Sequence, residues 1–220
     1  MTDHAVYRPA PWSKRWRMFV GVVAVLAALV AVVLLIEARS RRAEVHQLTE
    51  LLSLREGMTV GEIGAGRGWL TVEVARRVGP SGRVYSTELS AARLDDIRQA
   101  VAEDGLTNVT VLEAGERATN LPAGCCEAIF IRRVYHHLSE PPAILTSIHE
   151  ALKPGGRLII IEFRRAGVVG SVTRMGIDRA KLTEAVTAAG FDVVITREWP
   201  GWDHYVAVFM KSGATKPPTS

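Results

Sequence analysis

The stretch Val60-Gly61-Glu62-Ile63-Gly64-Ala65-Gly66-Arg67-Gly68-Trp69 constrains the fold of this chain more than any other. The apolar run leading into it reads as a strand, and Leu70-Thr71-Val72-Glu73-Val74-Ala75-Arg76-Arg77 behind it has helical spacing. A strand, a glycine-rich turn and a helix start therefore follow one another. Glycine at 64, 66 and 68 lets the backbone turn steeply and leaves bare main chain for a ligand. The helix start behind offers unsatisfied N–H groups to an acceptor. Such a turn, at the carboxyl end of a first strand, is where an α/β fold takes a nucleotide-type cofactor.

The spacing narrows the cofactor. A dinucleotide loop, G-x-G-x-x-G, would need glycine at 69, and this chain has Trp69. What stands here is E-x-G-x-G-x-G from Glu62 to Gly68, which resembles motif I of class I S-adenosylmethionine (SAM)-dependent methyltransferases. The turn Leu152-Lys153-Pro154-Gly155-Gly156 resembles the L-K-P-G-G turn before strand five in the same families. It is structural: proline ends a helix and the glycines swing the chain into the next strand. The resemblance runs from Leu51 to Lys211, and Pro200-Gly201-Trp202-Asp203-His204-Tyr205-Val206 is similar to a bacterial subgroup whose members often carry an N-terminal hydrophobic segment.

The resemblance implies SAM as cofactor, held by Glu62, Gly64, Ala65, Gly66 and Gly68, with Glu88 and Leu89 at the end of strand two. An acidic residue there, about 20 to 25 residues beyond the glycine loop, can accept both hydroxyls of a ribose. The acidic residue that relatives place on the adenine side is altered here to Ala114-Gly115-Glu116. Either Glu116 in a shifted register or backbone N–H groups take that role.

The rest of the domain alternates. Strands are expected over 58–63, 83–87, 109–113, 126–132 and 157–163, with helices over 68–78, 90–102 and 141–152 between them. Asp178 caps a further helix to Ala189, and 191–196 and 205–210 are final strands. Alternation of this kind implies a doubly wound, mostly parallel, seven-stranded sheet, a Rossmann-like methyltransferase fold.

Val134-Tyr135-His136-His137-Leu138 follows strand four, whose carboxyl end faces the transferred methyl in this architecture. Tyr135 and His136 are the candidate catalytic residues, placed to orient or deprotonate a nucleophile, and His137 is expected to pack. Arg132-Arg133 stands where many relatives carry an acidic residue or Asn; a buried guanidinium there needs an anionic partner or binds an acidic substrate. Methyl transfer from a sulfonium needs in-line positioning above all, so the lack of a triad or metal cluster is expected. The acceptor expected is a small molecule, lipophilic or membrane-adjacent; no basic or aromatic groove suited to nucleic acid stands out. A SAM-binding module without turnover shares the same loop and remains the alternative, ahead of a nicotinamide-dependent oxidoreductase.

Residues 19–36 carry no charge and are long enough to cross a bilayer. Trp12, Trp16 and Phe19 sit where an interfacial belt would be, and Arg8, Lys14, Arg15, Arg17, Arg39, Arg41 and Arg42 flank the segment, accounting for much of the +4 net charge. Ile36-Glu37-Ala38 is a poor signal-peptidase site, so an uncleaved anchor is expected. The organisation expected is a tail over 1–18, a transmembrane helix over 19–36, a short linking helix from Arg41, a methyltransferase domain over 41–211 and a disordered tail over 212–220. The adjacent Cys125 and Cys126 are expected to be buried at the start of a strand without forming a disulfide framework. The catalytic domain is placed in the cytoplasm; nothing in the sequence reads on oligomeric state.

Overall fold

The computed structural model describes residues 14–173, 175–199 and 203–213. The tail before Lys14, Trp12 and Arg8 within it, the Pro200-Gly201-Trp202 segment, Arg174 and the tail from Ala214 lie outside the described residues. The chain divides into two compact units, Met1–Ala43 and Glu44–Ser220.

Helix α1 runs over Lys14–Leu52 as one element. An apolar segment and a separate linking helix were expected. Residues 37–40 are helical as well, because nothing in Glu37-Ala38-Arg39-Ser40 breaks a helix, and Arg41 pairs with Glu37 one turn back at 2.5 Å. It is one helix, near the N-terminus, long and apolar enough to cross a membrane. Its last turns belong to the second unit, where Val45, Leu48 and Leu52 are buried.

In that unit seven strands form one sheet: β1 (Thr59–Ile63), β2 (Arg83–Glu88), β3 (Val109–Glu113), β4 (Cys126–Arg132), β5 (Leu152–Phe163), β6 (Phe191–Trp199) and β7 (His204–Lys211). The order is β3-β2-β1-β4-β5-β7-β6, parallel except for β7, which runs antiparallel to both neighbours. Helices α2 (Trp69–Val78), α3 (Ala91–Glu103), α4 (Pro141–Ala151), α5 (Val168–Thr173) and α6 (Arg179–Ala188) connect the strands.

β5 shows why the sheet is covered on both faces. Leu158 and Ile160 point into a core with Ile144, Leu145 and Ile148 of α4 and Leu182 and Val186 of α6. Their neighbours Ile159 and Ile161 point the other way, toward Leu70 and Val74 of α2 and Leu48 and Leu52 of α1. A run apolar on both faces, as residues 158–161 are, has to be sandwiched, and each such side chain contributes about 1.5–3 kcal/mol when fully buried. α6 begins as expected, with the Asp178 carboxylate accepting from the N–H groups of Ala180 (2.9 Å) and Lys181 (3.3 Å).

Three details depart from expectation. Lys153-Pro154-Gly155-Gly156 is a bulge inside β5 instead of a turn before it: Leu152 already pairs with Cys126, and regular pairing resumes at Arg157 with Ala128. α5, lying between β5 and α6, has no strong periodicity and was not expected. Cys126 is fully buried, but the two cysteine sulfurs are joined as a vicinal disulfide, where none was anticipated. A bridge between adjacent residues closes no loop of chain, so it adds none of the loop-closure stabilisation of an ordinary disulfide.

Strand order reverses at β1, with β2 on one side and β4 on the other. The connections leaving β1 and β4 go to opposite faces, which opens a crevice above their carboxyl ends. The glycine loop, Glu88 and His136 all lie at that edge.

Candidate active site

Each glycine of the loop is required for a different reason. Gly64 has φ 72°, and a Cβ there would stand 2.5 Å from Cγ2 of Val134, so the exit of β4 packs directly on its main chain. Gly66 has φ 60°, which disfavours a side chain, but nothing lies within 4 Å of where its Cβ would point. Gly68, just before α2, faces the backbone of Ile97, which a Cβ would meet at 3.1 Å. The loop is pinned to the next strand because the N–H groups of Gly64 and Ala65 donate to the Thr87 carbonyl at 2.9 and 3.1 Å.

Glu88 closes the arrangement. Its Oε2 accepts the Gly66 N–H at 2.9 Å and its Oε1 accepts the Leu89 N–H at 2.8 Å. The Ser90 N–H also reaches Oε1, at 3.5 Å, so of about four acceptor positions the spare capacity for a ribose hydroxyl lies chiefly on Oε2. Open space above Gly66 beside a held carboxylate fits the nucleoside end of SAM. From Glu88 and Leu89 a cleft continues past Ala114 and Gly115 to Thr119, Val134 and Leu138. Glu116 is exposed beside this wall and does not line it; Thr119, which no motif in the chain singles out, does. Thr119 is buried and fixed by Ser147, whose Oγ lies 3.0 Å from its N and 2.9 Å from its Oγ1.

Glu62 faces inward. Its Oε2 accepts the Thr71 hydroxyl at 2.5 Å, and Thr71 Oγ1 lies 3.0 Å from the Ser86 hydroxyl. Burial pushes its carboxyl up to about 8, outweighing the Thr71 hydrogen bond and the Arg132 charge, so it is mostly protonated at neutral pH. It braces the loop from below and joins α2 to β2.

The residues after β4 separate. Tyr135 and His136 both lie on a short 3₁₀ turn, Tyr135–His137, but their side chains have different surroundings. The Tyr135 ring is buried in the α4–α6 core and lines an apolar cavity of about 260 Å³ with Pro141, Leu145 and Ala185; burial raises its phenol above the usual range. The His136 side chain is 7% exposed, and its Nδ1 lies 2.8 Å from Oε1 of the fully buried Glu162 at the end of β5. Glu162 also accepts from the N–H groups of Phe163 (2.8 Å) and His136 (3.3 Å). A carboxylate at this place accepts from an Nδ1–H, and in that tautomer the lone pair is on Nε2. That Nε2 is buried and has no hydrogen-bond partner among the described residues. His137, expected to pack, is exposed, with its ring 3.9 Å from that of His136.

The two arginines ending β4 also part. Arg132 forms a two-pronged ion pair with Glu44 of α1, Nη2 to Oε2 at 2.8 Å and Nε to Oε1. Arg133, held at φ 58° with its N–H on the Ile161 carbonyl at 2.8 Å, points elsewhere. Its guanidinium lies over the Phe163 ring at 5.2 Å, and its Nε is buried without a hydrogen-bond partner among the described residues. His204, 4% exposed, packs on the same ring at 4.3 Å with both nitrogens likewise unpartnered; burial, then the Arg133 and Arg132 charges, push it down to about 4. Glu162 and His204 were not legible as site residues: one ends an apolar strand and the other starts one, and only the fold brings them together.

The chain is similar to known methyltransferases. The profile of a methyltransferase domain matches residues 60–156. Ubiquinone/menaquinone biosynthesis C-methyltransferases from Enterobacter sp. (strain 638) and Pseudomonas paraeruginosa are each 31% identical, over 113 and 117 residues. The matches cover 51% and 53% of this chain and 45% and 46% of those relatives, so the chain spans about half the length of the curated proteins it matches. A SAM-dependent methyltransferase from Aquifex aeolicus superposes with a TM-score of 0.69 at 26% identity, covering 76% of this chain and 89% of that one. The [4+2]-cyclase SpnF, at 19% identity and TM-score 0.67 over 80% of this chain and 81% of its own, shares the fold.

Proposed function

Because the chain belongs to the class I SAM-dependent methyltransferases, we propose that it transfers a methyl group from SAM to a lipophilic small molecule at a membrane surface, with its catalytic domain in the cytoplasm. The observation that carries the cofactor half is the Glu88 carboxylate held 2.9 Å from Gly66 N beside open space. SAM supplies a sulfonium-activated methyl group, which requires only a nucleophile placed in line. His136 supplies a buried lone pair at Nε2 to take or share a proton of the acceptor, and Glu162 holds the tautomer that leaves this lone pair free. Tyr135 shapes the wall on the α4–α6 side.

The relatives' name places their reaction at carbon in ubiquinone and menaquinone biosynthesis, and a lipophilic acceptor for this chain is in keeping with α1, whose apolar part is exposed. Charge alone does not decide the orientation, since Lys14, Arg15 and Arg17 precede the apolar segment and Arg39, Arg41 and Arg42 follow it. The methyl donor is made and held in the cytosol, which favours the cytoplasmic placement.

The test is calorimetry on the full chain in detergent. SAM and S-adenosylhomocysteine are expected to bind, and Glu88→Ala is expected to cost about 1.5–3 kcal/mol of that affinity, the loss of charge-assisted hydrogen bonds. NADH binding more tightly than SAM, or unchanged SAM affinity in Glu88→Ala, would overturn the reading.

A further inference from the structure

Resting on the same site, we infer that the acceptor carries an acidic group, and that Arg133, with His136 and His204 beside it around Phe163, is the docking point for that anion. The first support is arithmetic of partners. Two arginines end β4, and the fold gives one of them, Arg132, a carboxylate from Glu44. The other lies over an aromatic face and makes no ion pair among the described residues, although the charges of Glu44 and Glu162 reach it. Glu162, a buried acid whose charge reaches Arg133, already lies against three donors: His136 Nδ1, the Phe163 N–H and the His136 N–H. Asp203, beside His204 in sequence, lies 3.7 Å from Arg164.

The second support is the set of buried atoms that lack hydrogen-bond partners among the described residues. Five side chains contribute to it, and three of them meet at one ring: Arg133 Nε, His136 Nε2 and both nitrogens of His204. Their groups lie 5.2, 6.0 and 4.3 Å from the Phe163 centroid. Buried polar groups are normally satisfied, so a cluster of basic ones with no acceptor is out of the ordinary. Arg133 Nε–H and the one N–H of a neutral His204 are donors that lack an acceptor among the described residues, and an anion would supply it. His204 reports the local field, since the Arg133 charge adds to burial in holding its imidazole neutral.

The third is conformational. Arg133 sits at φ 58°, a region that side chains with a Cβ rarely adopt, and its N–H is fastened to Ile161. Strain of that kind persists where the surroundings fix a side chain in a particular direction. A planar guanidinium matches a carboxylate through two parallel N–H bonds, which orients the acceptor as well as holding it. His136 Nε2 then lies on the same side of the site as the anchored group.

Benzoate serves as probe, a carboxylate on a small apolar body, with benzamide as its neutral isostere. Both are titrated against the full chain, labelled with 15N at arginine, in a non-ionic detergent and loaded with S-adenosylhomocysteine, with binding followed by ligand-observed NMR and by the arginine Nε–H resonances. Benzoate is expected to bind at least tenfold more tightly than benzamide and to move the Arg133 Nε–H resonance. Arg133→Met is expected to abolish the preference, and Arg133→Lys to keep part of it, with S-adenosylhomocysteine affinity unchanged in both. Equal binding of benzoate and benzamide to the unaltered chain, or an Arg133 Nε–H signal that benzoate leaves in place, overturns the inference whether or not the variants fold. A preference retained in folded Arg133→Met also overturns it and leaves Arg133 as a packing partner of Phe163. Loss of S-adenosylhomocysteine binding by the unaltered chain would instead strike the cofactor reading, while the benzoate preference would still support the anion site.

Discussion

The two halves of the crevice are built on opposite principles. On the side of β1 and β2, the carboxylates that shape the site are engaged by other parts of the protein. Glu88 is bonded to Gly66 and Leu89, Glu62 to Thr71, and Thr71 in turn to Ser86; the exception is the buried Thr87 hydroxyl on β2, which has no partner among the described residues. On the side of β4, β5 and β7, basic groups are buried with nitrogens that have no partner among the described residues. Satisfied networks hold a fixed shape, which suits a cofactor common to many reactions. Unsatisfied buried groups cost stability, and a chain keeps them where a ligand completes them.

The contrast predicts that changes on the acceptor side strike turnover and leave cofactor affinity alone. The largest effect is expected at His136. With methyl-labelled SAM and a lipid extract of the producing cells as acceptor source, His136→Ala is expected to lower transfer about 10²–10⁴-fold, the usual worth of a positioned acid–base group. Glu162→Gln is expected to lower it about tenfold, and the double variant to be no worse than His136→Ala, because Glu162 acts through His136. Full activity in His136→Ala would break the comparison at its centre. A parallel loss of S-adenosylhomocysteine affinity would blur it.

How much of this was legible in the sequence follows the same division. The cofactor side is written in short contiguous segments. Glu62 to Gly68 spans a strand end and its turn, and Glu88 closes the next strand, so local patterns together with the family resemblance were enough to propose them. Glu116 fell one position beyond the wall, since Ala114 and Gly115 meet the cleft and the next side chain turns to solvent. The acceptor side is assembled across the sheet. His136 and Glu162 are 26 residues apart and Arg132 and Glu44 are 88 apart, so no local pattern links them. His204 starts a strand that pairs with the end of β5, where Phe163 lies opposite it. Such pairs become visible only once strand order and register are known.

A smaller effect tests whether the cofactor side is as settled as its hydrogen bonds suggest. The Glu62 carboxyl is raised to about 8 in the folded chain from an ordinary value of 4.5. Between those values the folded state holds a proton that the unfolded state has lost. This contribution to stability is therefore fully present below about pH 4.5 and is lost as pH rises through about 8. Glu62→Gln removes the titration. Relative to the unaltered chain it is expected to gain stability steadily from pH 5 to pH 8, on the order of 3–4 kcal/mol over that range. Thermal melts of the two proteins across that range give the difference directly; parallel curves would mean that Glu62 is ionised in its pocket.

The central claim is that the nucleoside sits on Glu88 and the reacting end of the cofactor faces His136. A crystal structure of the full chain with S-adenosylhomocysteine tests it most directly. Both ribose hydroxyls are expected within hydrogen-bond distance of the Glu88 carboxylate, with main chain against the ligand at Gly66 and the sulfur directed toward His136 Nε2. A nucleoside bound away from Glu88, or a sulfur facing the Tyr135 cavity on the α4–α6 side, would contradict it.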